Sequence, residues 1–297
     1  MPLTPAARRR RAVVRAVAGT AVFATAVTGA AVGVAAYLRH LDAVPLVVRC
    51  AALSDGTSWY LDPDQADTAA LLSATSLQRG LPARATTIAL ATGLQESKLR
   101  NVDHGDRDSI GIFQQRPSQG WGSVEQIMDP VYSTNAFYDA LVRVDGYQEL
   151  PVTEAAQAVQ HSGYPDAYAQ HEASSRAWAS AMYGYTAGSI TCTLDEPDAA
   201  GDPQSVVARV ARDFGGLTTV VDADGVVEVD ATSMAGSPED GERLGWAVAH
   251  WAVSVASPLE ITRVQHTDRT WDRSEGAWVR NEGEPVPAGQ VRITVAG

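Results

Sequence analysis

From Ala16 to Leu38 the chain runs without one charged residue, and Arg8, Arg9, Arg10, Arg11 and Arg15 stand just before that stretch. A helix rises about 1.5 Å per residue and needs ~20 apolar residues to cross the hydrocarbon, so the stretch is long enough for one span. Basic residues remain on the cytoplasmic side. The expected order is a cytoplasmic basic segment at 1–15, a transmembrane signal-anchor helix at 16–38 and a juxtamembrane linker at 39–49. The rest of the chain is then expected outside the cell membrane. A cleaved secretory signal is the competing reading, with Ala30 and Ala31 among the small residues that suit cleavage. One span alone forms no transport path.

Only two cysteines occur, Cys50 and Cys192. Outside the membrane the redox environment favours a disulfide between them, two free thiols being the alternative. Closing so long a loop is worth about 4 to 5 kcal/mol in the chain-entropy picture. Two isolated cysteines lack the clustered spacing of a zinc site, and Asp103, Asp106 and Asp108 do not fit the spacing of an EF-hand loop. No metal or cofactor is expected. The net charge of −12 argues against nucleic acid, whose phosphates require a basic face.

Between the cysteines the punctuation is that of helices. Asp62-Pro63 supplies a cap and a first-turn proline, Gly80 a stop, and a further helix begins near Pro82. Ser123 with Gln126 reads as a capped turn, and Asp129-Pro130 as the next start. Thr153 to His161, stopped by Ser162-Gly163, and Asp166 to Tyr183 complete the set. No clear alternating strands are read here beyond a short hairpin between Glu96 and Gln114, so 50–192 is expected to be mainly α. Residues 193–203, rich in Asp, Pro, Ala and Gly, read as a linker. Residues 204–297 read as a small α+β domain with one antiparallel sheet. Its helices are expected at Ser205–Phe214 and Glu239–Val255. Its strands are expected at Thr218–Val221, Val226–Asp230, Ile261–His266, Ala277–Val279 and Val291–Val295. That segment carries no glycine-rich phosphate loop or nucleophile elbow, which leaves binding of a protein partner, or positioning, as its default role.

The chemistry concentrates near Glu96, in ALATGLQESKLR. At about 100° per residue, Ala85, Ile88, Ala89, Thr92 and Leu99 share one arc with Glu96. A carboxyl on such a face is partly dry, and dryness disfavours the charged form, as a general acid requires. A buried glutamate held by hydrogen bonds as structure is the alternative. Glu96-Ser97 followed by Gly111-Ile112-Phe113-Gln114 resembles the lysozyme-like superfamily of lytic transglycosylases and goose-type lysozymes. Its hallmarks are a Glu-Ser pair ending a helix and a later Gly-Leu-Met-Gln turn. GDRDS and QQRPSQGWG are similar to actinobacterial wall-lytic domains. Ala158 to Gly163 is a loose counterpart of the family's Ala-Tyr-Asn-Ala-Gly run, with Gln160 and His161 where Tyr and Asn stand.

The resemblance implies a mainly α lysozyme-like catalytic domain, here preceded by one transmembrane helix and followed by the α+β domain. It implies peptidoglycan glycan strands as substrate, Glu96 as the catalytic acid, and Ser97, Gln114, Gln115, Gln160, His161 and Tyr168 as groove residues. Asp106 is the candidate second carboxylate, capping turns or pairing with Arg107 or Arg100 being its alternative role. Phe113, Trp121, Tyr132, Tyr138 and Tyr164 offer flat surfaces for sugars or packing for the core. Water attack and attack by the sugar's own 6-hydroxyl both remain open, as does a wall-binding scaffold without turnover.

Overall fold

A computed structural model describes residues 29–30, 32–34, 37, 47–162, 164, 166–237, 240–281 and 283–297. The chain divides into two units, Met1–Leu46 and Val47–Gly297. In the first, Gly29, Ala30, Val32, Gly33, Val34 and Tyr37 are helical and exposed. The remainder of the expected 16–38 span, and the basic segment before it, lie outside the described residues. Among the described residues no helix is long and apolar enough to cross a membrane.

The second unit corrects the expected fold of a mainly α domain followed by an α+β domain with the one sheet, because it contains two antiparallel sheets, the first of them framing the helices expected to stand without clear strands. Strands β1 (Arg49–Ser54), β2 (Thr57–Leu61) and β3 (Ile190–Thr193) form the first, in the order β2-β1-β3. Asp55 and Gly56 turn the β1–β2 hairpin with φ of 50° and 74°. Two left-handed residues in succession are what a two-residue hairpin of Asp-Gly type requires. Inward-facing positions of β1 are only Cys50 and Ala52, so the strand shows little hydrophobic alternation. Its second partner arrives from the far end of the segment, where Cys50 lies opposite Cys192 in register. The two are disulfide-bonded across 142 residues.

Helices α1 (Pro63–Gln78), α2 (Ala83–Ser97), α3 (Val124–Met128), α4 (Pro130–Leu141), α5 (Val152–Gln160) and α6 (Glu172–Met182) follow between β2 and β3. Local chemistry sets their starts. The Gln65 side chain accepts the Asp62 N–H at 2.8 Å, Ser123 and Gln126 form a capping box, and Asp129 accepts from Val131 N at 2.9 Å. Every residue from Ala85 to Gly93 is buried, so α2 is the central rod, packed by α1, α4, α5 and α6. Its Ala, Thr and Gly side chains permit that close approach on all sides.

Residues 194–202 hold no helix or strand, and α7 (Pro203–Phe214) follows. Strands β4 (Thr218–Val221) and β5 (Val227–Asp230) and helix α8 (Asp240–Ser254) precede β6 (Ile261–His266), β7 (Arg269–Asp272), β8 (Ala277–Arg280) and β9 (Gln290–Val295). The six strands order as β4-β5-β9-β6-β7-β8, all antiparallel. Helix α8 is buried from Leu244 to Ser254 because it is covered twice, by β6 and β9 on one side and by α1, α6 and β3 on the other. Arg209 of α7 adds a tie to Asp67 of α1 at 2.6 Å.

Candidate functional site

The site begins where α2 stops. Lys98 and Leu99 take φ of 56° and 58°, and their N–H groups turn back onto the carbonyls of Leu94 and Gly93. Leu99 is fully buried, but it lies past the helix and not on its expected arc. The reversal folds its side chain back onto the last turn, where a Cβ on Gly93 would meet Leu99 Cδ2 at 2.7 Å. Glycine at 93 therefore makes room for this ending.

Glu96, in that last turn, is half-buried. The Tyr168 hydroxyl, from the segment leading into α6, donates to Glu96 Oε1 at 2.7 Å. Tyr168 is itself buried, and burial together with the adjacent Glu96 carboxylate pushes its phenol ionisation well up. The second carboxyl oxygen, Oε2, has no hydrogen-bond partner among the described residues. Glu96 faces a cleft of about 440 Å³ that is also lined by Asp106, Gln114, Gln160 and His161.

The turn at 111–114 is fastened from both sides. Ser97 Oγ donates to the Ile112 carbonyl at 2.7 Å, and Gln160 Nε2 donates to the Phe113 carbonyl at 2.8 Å. The Phe113 ring goes inward and stacks on Phe137 at 4.3 Å. Gln114 then takes a left-handed φ of 50° and turns into the cleft, its amide donating to the His104 carbonyl at 3.3 Å. Ile110 and Gln115 close the turn by a backbone bridge, and Gln115 is buried beneath it with its amide on Ser133 O. Ser97 and Gln115 thus hold the wall of the cleft, while Tyr168 lies behind Glu96. His161 ends α5 with φ 50°.

Arg116 organises the acidic loop. Its Nη2 binds Asp106 at 2.8 Å and its Nε donates to Ser109 Oγ at 2.8 Å. Asp106 reaches the cleft already paired with this guanidinium. Asp108 accepts the Ser118 N–H at 2.9 Å, and hydrogen bonds from Ser118 hold its carboxyl below the usual range. Asp103 is similarly lowered by its bond to His104. Among the aromatic candidates, Trp121 and Tyr164 line the cleft, while Phe113 and Tyr138 belong to the core and Tyr138 donates to Leu72 O at 2.9 Å. Tyr132 is half-buried beside Gly122.

Sequence reasoning passed over Ser109, Arg116 and Gln119, and gave Arg107 only as a partner for the aspartates; all four line the cleft, and Arg116 takes the place expected of Arg107 or Arg100 beside Asp106. Their signal was present in GDRDS and QQRPSQGWG, but nothing in a linear sequence shows which arginine is consumed by a neighbouring aspartate. Among the described residues no cluster of His, Cys, Asp or Glu is placed to hold a metal ion. No protein-family model matches this chain, and no curated protein matches it.

Proposed function

We propose that this protein cleaves the glycan strands of peptidoglycan, acting on the bond between MurNAc and GlcNAc units with Glu96 as its one acid–base group. The observation that carries this reading is the Glu96 carboxyl itself. One oxygen is held by Tyr168 at 2.7 Å, the other has no partner among the described residues, and Glu96 lines a polar cleft. A carboxyl so held can give its proton to a glycosidic oxygen and afterwards take one from the attacking group. That attacker is water in a hydrolase, giving a reducing end, or the sugar's own 6-hydroxyl in a transglycosylase, giving an anhydro end. The pairing of Asp106 with Arg116 favours a route in which no second carboxylate forms a bond to the sugar. Trp121 and Tyr164 offer flat faces to sugar rings, and Gln114 and Gln160 offer amides. The disulfide suits an oxidising location outside the cytoplasm.

The test is Glu96→Gln. An amide of the same shape has no proton to give, so release of soluble fragments from purified wall should fall by about 10²- to 10⁴-fold while the melting temperature stays near wild type. Activity near wild type in the variant overturns the assignment. Mass analysis of the released ends separates the two attackers, and a wild-type protein that binds wall but releases nothing points to a binding module.

A further inference from the structure

Arg107 is the feature of the cleft that cleavage by Glu96 leaves unused. It stands between two aspartates, yet neither takes its guanidinium: Asp106 is bound to Arg116 at 2.8 Å, and Asp108 accepts the backbone of Ser118 at 2.9 Å. The Arg107 side chain makes no hydrogen bond or ion pair with any described residue, although it lines the same cleft as Glu96. Its backbone is also held in an unusual state, at φ 57°. A non-glycine residue pays to adopt that conformation. The conformation is secured on both sides by Ser109 N on Asp106 O at 3.1 Å and by Arg116 Nε on Ser109 Oγ at 2.8 Å. The two guanidinium groups of the cleft wall therefore differ. Arg116 is 17% exposed and fully engaged in holding the loop, whereas Arg107 is exposed and uncommitted in a chain whose net charge is −12.

We infer that Arg107 is a carboxylate receptor that makes the cleft selective for an acidic glycan over a neutral one. The inference rests on the glycan reading of the Glu96 cleft and adds to it the charge of the substrate. A guanidinium presents paired N–H donors that match the two oxygens of a carboxylate, and it stays charged at any working pH. The matching group on a peptidoglycan strand is the carboxylate of the lactyl ether or of the peptide attached to it. A chitin strand, built of N-acetylglucosamine alone, has none.

The experiment measures binding and turnover separately. Binding of two ligands is followed by calorimetry on the Glu96→Gln protein, with and without Arg107→Gln. One ligand is a peptide-free glycan oligomer with free lactyl carboxylates, and the other is the same oligomer with those carboxylates converted to methylamides. The Arg107 side chain is exposed and makes no hydrogen bond or ion pair with a described residue, so the second substitution should leave the fold intact, and Arg107→Lys restores the charge without the fork. The expected result is roughly tenfold weaker binding of the acidic oligomer in Arg107→Gln, partial recovery in Arg107→Lys, and no change for the methylamide. The difference should shrink as salt rises. A third ligand, the same oligomer carrying its peptides, separates the two carboxylates: a loss in Arg107→Gln seen there and not with the peptide-free acid makes the peptide carboxylate the partner. No effect of Arg107→Gln on either acidic ligand, no binding of either, or wild-type affinity for both of them equal to that for the methylamide overturns the inference. Absence of turnover by the protein with Glu96 intact, with charge-selective binding retained, overturns the cleavage reading alone.

Discussion

Two carboxylates of this molecule, Glu96 at the end of α2 and Asp213 at the end of α7, are held in opposite ways. Asp213 is fully buried and both of its oxygens are engaged, Oδ2 by Arg209 Nε at 2.8 Å and Trp251 Nε1 at 2.9 Å, Oδ1 by Arg212 Nε at 2.7 Å. Glu96 is half-buried, has one donor on one oxygen, and lines a cleft. A buried carboxylate with both oxygens engaged by donors serves the fold. One with a free oxygen in a concave polar site is placed to exchange a proton. The contrast teaches that burial alone does not separate the structural role from the proposed catalytic one; an oxygen left unengaged beside an opening does.

If that contrast is correct, the two residues should respond to substitution along different axes. Glu96→Gln should remove two to four orders of magnitude of fragment release and leave stability almost untouched. Asp213→Ala should do the reverse, because it leaves the buried Arg209 guanidinium with Asp67 as its one remaining carboxylate and takes the acceptor from the Trp251 indole N–H. The expected loss is roughly 3 to 5 kcal/mol, or on the order of 10 °C in melting temperature, with near-normal turnover by the folded fraction. Thermal melts alongside fragment release for both variants give the check. Loss of turnover in a folded Asp213→Ala protein breaks the comparison.

The region around α8 extends it to a second buried titrating group. His250 donates and accepts within the core, with Nδ1 2.7 Å from Ala181 O and Nε2 accepting the Ser189 N–H at 3.1 Å. Burial, with the neighbouring His266 adding to it, pushes its ionisation down from 6.5 to about 4. The sign follows from that direction. As pH falls through 6.5 the unfolded chain takes up a proton that the folded chain refuses until about 4, so stability is full above the upper value and is lost on acidification. The loss should reach roughly 3 kcal/mol. Chemical denaturation between pH 7 and 4.5 measures it. His250→Gln, which keeps one donor and one acceptor, should remove most of the slope. His266, also lowered by burial, leaves a smaller slope of the same sign. An unchanged slope in the variant would assign the acid sensitivity elsewhere.

These contrasts also show what the sequence made readable. Helix starts at Asp62-Pro63, Ser123 and Asp129-Pro130 were legible because a cap is decided within four residues. The strands of 204–297 were mostly legible, although β7 was not, since RTWD is short and only its Trp271 is fully buried. The first sheet was missed although Asp55-Gly56 is a local hairpin signal, because β1 buries only Cys50 and Ala52 and so lacks clear alternation, and its other partner β3 lies some 140 residues away. At the site, Glu96, Gln114 and Gln160 could be placed from motif and helix phase. The pairing of Asp106 with Arg116, the freedom of Arg107 and the donation by Tyr168 depend on which loops meet, and pairing across 72 residues leaves no periodic trace.

The smallest expected effect isolates that last contact. Tyr168→Phe keeps the buried ring and removes only the hydroxyl that donates to Glu96 Oε1 at 2.7 Å. A hydrogen bond to a charged group is worth about 1.5 to 3 kcal/mol where nothing replaces it, but Glu96 borders an open cleft and water can take the vacated position. The stability change should therefore stay near 1 kcal/mol, well below that of Asp213→Ala. Turnover should be affected differently from binding. Tyr168 lies behind the carboxyl and orients it, so kcat should fall by several-fold to about tenfold while KM holds, because the lost hydrogen bond aligns the proton donor and does not touch the sugar. A rise in KM with kcat unchanged would make Tyr168 a substrate contact. No change in either constant would mean that Glu96 holds its position without it, and the difference between the two carboxylates would then rest on Oε2 and the cleft alone.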